Sequence, residues 1–305
     1  MGYGTWSDDA YSHLKKDYST KTADDIFSSA AKEDMLPKGV DVRESRDSDE
    51  HPDSLAVMVF LDVTGSMGRI PEIIVKEKLG ALMTTIIDNG VEHPQILFGA
   101  IGDHISDSTP LQVGQFESAT EELDKWLTSI FIERGGGGQN MESYLLAWLF
   151  AGRHTSIDCF EKRNAKGFLF TIGDEKSWPN VNARALQEMM GYPQSDDVTA
   201  EQLLEEAQRL YNVYHIHINE TGYRDDPEVL GYWRKMLGER LIVLNDYNAV
   251  CETIATLIAV QHGVDLANVV SKFDSRTADT VSNALMVLSK NAVVGKTPDE
   301  GIIKL

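Results

Sequence analysis

Hydrophobic positions along the chain fall into two alternating kinds of segment. The runs LAVMVFLD from Leu55, QILFGAIG from Gln95 and KGFLFTIGD from Lys166 are short and almost continuously apolar. That pattern suits strands buried on both faces of a parallel sheet. NVYHIHIN and RLIVLND, further along, predict a fourth and a fifth strand of the same kind. Between them lie stretches with helical spacing. In Ile70 to Asn89, Pro71 fits a first-turn position and Val75, Leu79, Leu82, Met83 and Ile86 recur on one side before Asn89-Gly90 ends the run. Glu121 to Ile130 and Met141 to Gly152 predict two more helices, separated by ERGGGGQN. The short segment Leu111 to Phe116 follows its predecessor closely enough to form an antiparallel edge. The fold expected is α/β, Rossmann-like and doubly wound: a mostly parallel sheet with one short antiparallel edge strand, helices on both faces and right-handed crossovers.

Two flanking regions break this pattern. Residues 1–53 form a polar N-terminal extension that ends in the charge-rich RESRDSDEHPDS and carries Tyr3, Trp6, Tyr11, Tyr18 and Phe27. Those aromatics are expected to pack on the chain's own domain, which runs over residues 54–264. Residues 265–305 form a C-terminal helical extension, where Val281, Leu285 and Leu288 mark the apolar side of a helix over 275–289.

Charge narrows the function. With 48 acidic and 28 basic residues among 305, the chain carries a net −20, so nucleic acid and anionic membranes are disfavoured as partners. The opening residues lack the apolar stretch of a signal peptide, no run is long enough for a membrane span, and Cys159 and Cys251 have no disulfide or metal-cluster spacing. A cytoplasmic protein with two reduced thiols is the expectation.

The candidate chemistry sits where the first strand ends. Phe60-Leu-Asp62-Val-Thr64-Gly-Ser66 places a carboxylate and two hydroxyls at alternate positions. Such a loop can turn three oxygen donors toward one point, as a small hard cation requires. In open parallel sheets the loops beyond the carboxyl ends of the strands, at the reversal of strand order, are where ligands bind. The segment resembles the metal-ion-dependent adhesion site of von Willebrand factor type A (vWA) domains, in the form found in stand-alone bacterial proteins. The first motif of that site is Asp-x-Ser-x-Ser, with Thr64 here in place of the first serine. Asp174, in LFTIGDEKSW, matches the family's later aspartate. The family's threonine on a glycine-rich loop has no counterpart in GGGGQNMES, where Gln139 or Asn140 can supply an amide oxygen and Glu142 an outer acidic group.

The resemblance implies that Thr64 and Ser66 contact a bound Mg2+, or Mn2+ or Ca2+, while Asp62 and Asp174 act through water. A vacant coordination position then takes a carboxylate from a protein partner, such as an ATPase or a multi-protein assembly. The implied role is a non-enzymatic adaptor or scaffold. Two alternatives stand beside it. FLDVTGS also resembles the first motif of haloacid dehalogenase-like phosphatases, which would make Asp62 a nucleophile. Thr64 then replaces the usual general acid, whose help is worth about 10² to 10⁴-fold. A structural subunit with a vestigial metal site is the second alternative. Asp103, His104 and Asp107, after the second strand, are expected to be solvated loop residues, and His215 and His217 packed, hydrogen-bonded histidines. The Gly135 to Gly138 run lacks a dinucleotide fingerprint.

Overall fold

Six strands form the central sheet: β1 (Leu55–Asp62), β2 (Pro94–Ile101), β3 (Leu111–Val113), β4 (Gly167–Gly173), β5 (Tyr211–Ile218) and β6 (Leu241–Leu244). They belong to a computed structural model that describes residues 4–65, 67, 69–133, 140–191, 193 and 195–294. The spatial order is β6-β5-β4-β1-β2-β3, and every neighbouring pair is parallel except β2 with β3. This is the doubly wound, Rossmann-like α/β sheet expected from the alternating pattern, with its short antiparallel edge in place. β1, β2 and β4 are buried at every position, which is why their sequences show continuous rather than alternating apolarity.

The chain winds outward from β1 through β2 to β3, then crosses to β4 and winds the other way. Strand order therefore reverses between β1 and β4. Leu61 pairs with Ile172, so the next step along the register sets Asp62 beside Gly173, with Asp174 just beyond. In open parallel sheets such a reversal of strand order is where ligands bind, beyond the carboxyl ends of the two strands.

Helices cover both faces. With α1 (Asp8–Tyr18) in the N-terminal arm, the body of the fold carries α2 (Leu79–Asp88), α3 (Thr120–Thr128), α4 (Tyr144–Arg153), α5 (Ala200–Leu210), α6 (Pro227–Leu237), α7 (Val250–Gln261) and α8 (Ser275–Val294). α4 packs on α5, while α7 packs on α2 and α8. α4 is buried from Tyr144 through Ala151 and α7 from Val250 through Ala259, because each is apolar nearly all round and has protein on every side.

Two helical expectations need correction. The segment over Ile70 to Asn89 is helical but not uniform: Ile70–Ile73 is followed by a π turn over Ile74–Lys78, and regular α geometry resumes at Leu79. The helix expected from Met141 begins at Tyr144 instead. Asn140 has a left-handed φ of 58°, which a right-handed helix cannot accommodate, and Met141–Glu142 pair in parallel with Lys176–Ser177. That pairing joins the loop before α4 to the loop after β4.

The arm is laid onto the domain by its aromatics. Tyr11, Tyr18 and Phe27 are buried. The ring of Tyr11 occupies the space beside Gly80 of α2, where a Cβ would come within 2.6 Å of it. Tyr18 donates to Asp124 of α3 at 2.7 Å, and Arg43–Ser45 pair in parallel with Thr155–Ile157. On α8, Val281 and Leu285 are buried against the body. Cys159 and Cys251 are free thiols, both buried.

Candidate metal centre

Asp62 closes β1 with its carboxylate wholly buried. Its Oδ1 accepts from the backbone N–H of Thr64 at 2.9 Å and from Thr64 Oγ1 at 2.6 Å, an Asx-type turn that folds the loop back over the strand end. Its Oδ2 accepts from the Tyr144 hydroxyl at 2.7 Å. Asp174 is also fully buried, one residue past β4. Burial pushes the Asp62 carboxyl well above the usual range, and the charge of Asp174 adds to the effect. The hydrogen bonds from Thr64 and Tyr144 favour the ionised form but do not outweigh these two causes.

Tyr144 fits here because β4 ends in glycine. A Cβ at Gly173 would lie 1.8 Å from the Tyr144 hydroxyl oxygen and 2.6 Å from Cζ. The ring is fixed by edge contacts with His215, at 5.0 Å between centroids, and Trp233, at 5.4 Å. His215 stacks on Trp233 at 3.6 Å and meets Thr171 Oγ1 through Nδ1 at 2.9 Å. His215 is thus the packed, hydrogen-bonded histidine expected, and burial holds it neutral. His217 is buried as well, and burial lowers its pKa to about 4, but neither of its ring nitrogens has a hydrogen-bond partner among the described residues, so it is packed but, contrary to expectation, not hydrogen-bonded.

More acid lines the same rim. Glu142 is 2% exposed, and its Oε2 has no hydrogen-bond partner among the described residues. Burial raises its pKa far above the carboxylate range, and the charges of Asp62, Glu175, Asp103 and Asp107 raise it further. Glu175 is raised to about 6 by burial and by Asp174. Among the described residues, no lysine or arginine is ion-paired to Asp62, Asp103 or Glu142. Desolvated carboxylates that repel one another, a threonine hydroxyl and a buried oxygen without a donor are a donor set that fits a hard dication such as Mg2+. Among the described residues no three His, Cys, Asp or Glu side chains are grouped so as to hold a metal ion. The set at Asp62 and Asp174 is instead a mixed one of carboxylate and hydroxyl oxygens.

Of the residues singled out in the sequence, Asp62, Thr64 and Asp174 come together at the strand ends. Ser66 and Gln139 lie outside the described residues. The side-chain oxygen of Asn140 accepts from the Tyr223 hydroxyl, which ties the loop before α4 to the segment after β5. Asp103 departs from expectation. It is 1% exposed, and its carboxylate accepts from Trp178 Nε1 at 2.8 Å, Ile105 N–H at 3.0 Å and Ser106 Oγ at 2.8 Å. His104 bonds Ser143 Oγ through its backbone N–H at 2.8 Å and its Nδ1 at 2.7 Å. The Asp103 carboxylate is satisfied within its own loop and by Trp178, so it does not need water. Tyr144 had no warning in the sequence beyond its place just after the glycine-rich loop.

No protein-family model and no curated protein matches the chain. Among solved structures it is similar to the pilus adhesin SpaC from Lactobacillus rhamnosus GG in its open conformation, with a TM-score of 0.43 and 10% identity over 68% of this chain and 30% of the adhesin. It is also similar to proximal thread matrix protein 1 from the mussel byssus, in a structure with a zinc-occupied MIDAS motif, with a TM-score of 0.43 and 11% identity over 68% of this chain and 47% of that one. The match spans less than half the length of either protein. No helix among the described residues is long and apolar enough to cross a membrane.

Proposed function

We propose that the chain is a vWA-like adaptor that holds a divalent cation at Asp62, Thr64 and Asp174 and recognises a partner protein through it. The observation that carries this reading is the burial of Asp62 and Asp174 together at the reversal of strand order, with no ion-paired base at Asp62 among the described residues to offset the charge. When bound, the cation supplies a Lewis-acidic position that takes an oxygen from outside. The chain's own residues do the rest. Thr64 and Tyr144 hold the Asp62 carboxylate in one orientation, Gly173 makes room for Tyr144, and Glu142 and Glu175 add negative charge at the rim. Mg2+ is the cation proposed, with Mn2+ or Ca2+ as substitutes, and the partner is an ATPase or a component of a multi-protein assembly in the cytoplasm.

A phosphatase reading has less support. Thr64 stands where that reading needs a general acid, and its hydroxyl already donates to Asp62 Oδ1 at 2.6 Å. The test is affinity purification from the native cell with Mg2+ and with chelator, in parallel with Asp62→Ala. A partner recovered only by the wild-type chain with Mg2+ supports the proposal. Identical recovery in all arms refutes it and leaves the structural-subunit reading.

A further inference from the structure

The pole of the sheet opposite the Asp62 site carries a pair of histidines that meet nitrogen to nitrogen. His51 lies in a turn closed by reciprocal backbone bonds with Ser48, four residues before β1. His93 immediately precedes β2, and its carbonyl accepts from the N–H of Leu55 at 2.9 Å. Their Nδ1 atoms are 3.3 Å apart, with the rings nearly perpendicular at 74°.

The other nitrogen of His51 settles its chemistry. Nε2 lies 2.9 Å from the backbone oxygen of Gly4, which can only accept, so Nε2 carries the proton and Nδ1 of the neutral ring presents a bare lone pair. The carbonyl that imposes this tautomer is held in turn, because the N–H of Gly4 donates to Glu50 Oε2 at 2.9 Å. A ring N–H given to a backbone carbonyl, with the opposite nitrogen free, is how proteins orient a metal-binding imidazole. The spacing agrees. Two nitrogens bound at ~2.0–2.1 Å in a tetrahedral shell stand ~3.3–3.4 Å apart. His51 is 2% exposed and so has little rotamer freedom, whereas His93 is half-buried and gives access from solvent.

We infer that His51 and His93 form a second cation site, bidentate through Nδ1 and completed by water, for a borderline dication such as Zn2+ rather than for Mg2+. Imidazole nitrogens favour zinc, copper and nickel, whereas a magnesium ion demands oxygens. The site ties three separate parts of the chain together, because the arm at Gly4, the turn before β1 and the loop before β2 all converge on it. It is independent of the Asp62 centre in place and in ligand type.

The test is calorimetric titration of the full chain with Zn2+ and with Mg2+, using the wild type, His93→Gln and Asp62→Ala, with circular dichroism as the check on folding. His93→Gln replaces a half-buried side chain and leaves the buried His51 and its bond to Gly4 intact. The expected result is a Zn2+ site that persists in Asp62→Ala and is lost in His93→Gln, together with Mg2+ binding that His93→Gln leaves unchanged. With the Asp62 centre kept under saturating Mg2+, Zn2+ also raises the melting temperature of the wild type but not of folded His93→Gln. Zn2+ titrations that are the same with and without His93 overturn the inference and reduce the contact to a hydrogen bond between two rings. If Asp62→Ala does not fold, the wild type and His93→Gln compared under saturating Mg2+ decide the matter alone.

Discussion

Replacing Tyr144 with phenylalanine removes one atom from the centre and leaves its packing in place, since the ring stays between His215 and Trp233. The lost hydroxyl donates at 2.7 Å to the wholly buried Asp62 carboxylate. A hydrogen bond to a charged group contributes about 1.5–3 kcal/mol, and one pKa unit corresponds to about 1.36 kcal/mol. The Asp62 carboxyl, already raised by burial and by Asp174, should therefore rise by a further one to two units, approximately. A cation competes with that proton, because only the ionised carboxylate binds it. Near pH 6.5 the Mg2+ affinity of Tyr144→Phe should fall about ten- to hundredfold, whereas near pH 9 the deficit should close as the carboxylate ionises regardless. Calorimetric titration with Mg2+ at both pH values measures this. An affinity loss of equal size at the two pH values, or none at either, would falsify the account of Tyr144 as a group that favours the ionised form of Asp62.

Four further outcomes follow from the same geometry. Gly173→Ala forces a Cβ against the buried Tyr144 hydroxyl and should cost at least about 1–3 kcal/mol in urea denaturation; part of that loss should be recovered in the double variant with Tyr144→Phe, and a wild-type midpoint for the single variant refutes the crowding argument. In chelator, the raised carboxyls of Asp62, Glu142 and Glu175 mean that the folded state binds more protons than the unfolded one. Buried neutral histidines such as His215 and His217 oppose this trend below about pH 6.5, the unfolded value of histidine, so stability should fall with rising pH above it, and added Mg2+ should stabilise most at the alkaline end; a urea midpoint in chelator that rises above about pH 6.5 contradicts it. Tyr11→Ala empties the space beside Gly80 and should cost about 3–5 kcal/mol while exposing the arm to limited proteolysis ahead of the body. Lys78→Met leaves the buried Glu252, now paired at 2.6 Å, without its cation and should cost about 3–5 kcal/mol, which Glu252→Leu in the same chain should largely restore.

The strands were legible because burial on both faces removes the need for polar positions, and continuous apolar runs such as LAVMVFLD have few other readings. The half of the site on those strands, Asp62 and Asp174, was legible for the same reason: a carboxylate at the end of a buried strand stands out. What failed to show was set by contacts between distant segments. Met141 and Glu142 carry helical spacing, yet Lys176 and Ser177 recruit them into a two-residue strand. Asp103 looks like a loop acid until Trp178, far along the chain, supplies its donor. Tyr144 reads as one more apolar residue of a buried helix, and only the missing side chain at Gly173 shows that its hydroxyl has somewhere to go. The π turn has no local signature at all, since a single wide turn leaves the apolar periodicity on either side intact.

That π turn bears on how the two halves of the helix are set against each other. A π turn carries i→i+5 bonds and holds one residue more than the α ladder needs, and each residue advances the helix by about 100°. Ile70–Ile73 is thereby indexed differently from Leu79–Asp88, which is pinned by Tyr11 and α7. Passing the surplus residue toward either end would swivel the first turn while the pinned half stayed still. Ile70, Ile74 and Val75 are buried in the core, so such a swivel would be felt there as a repacking of these three side chains.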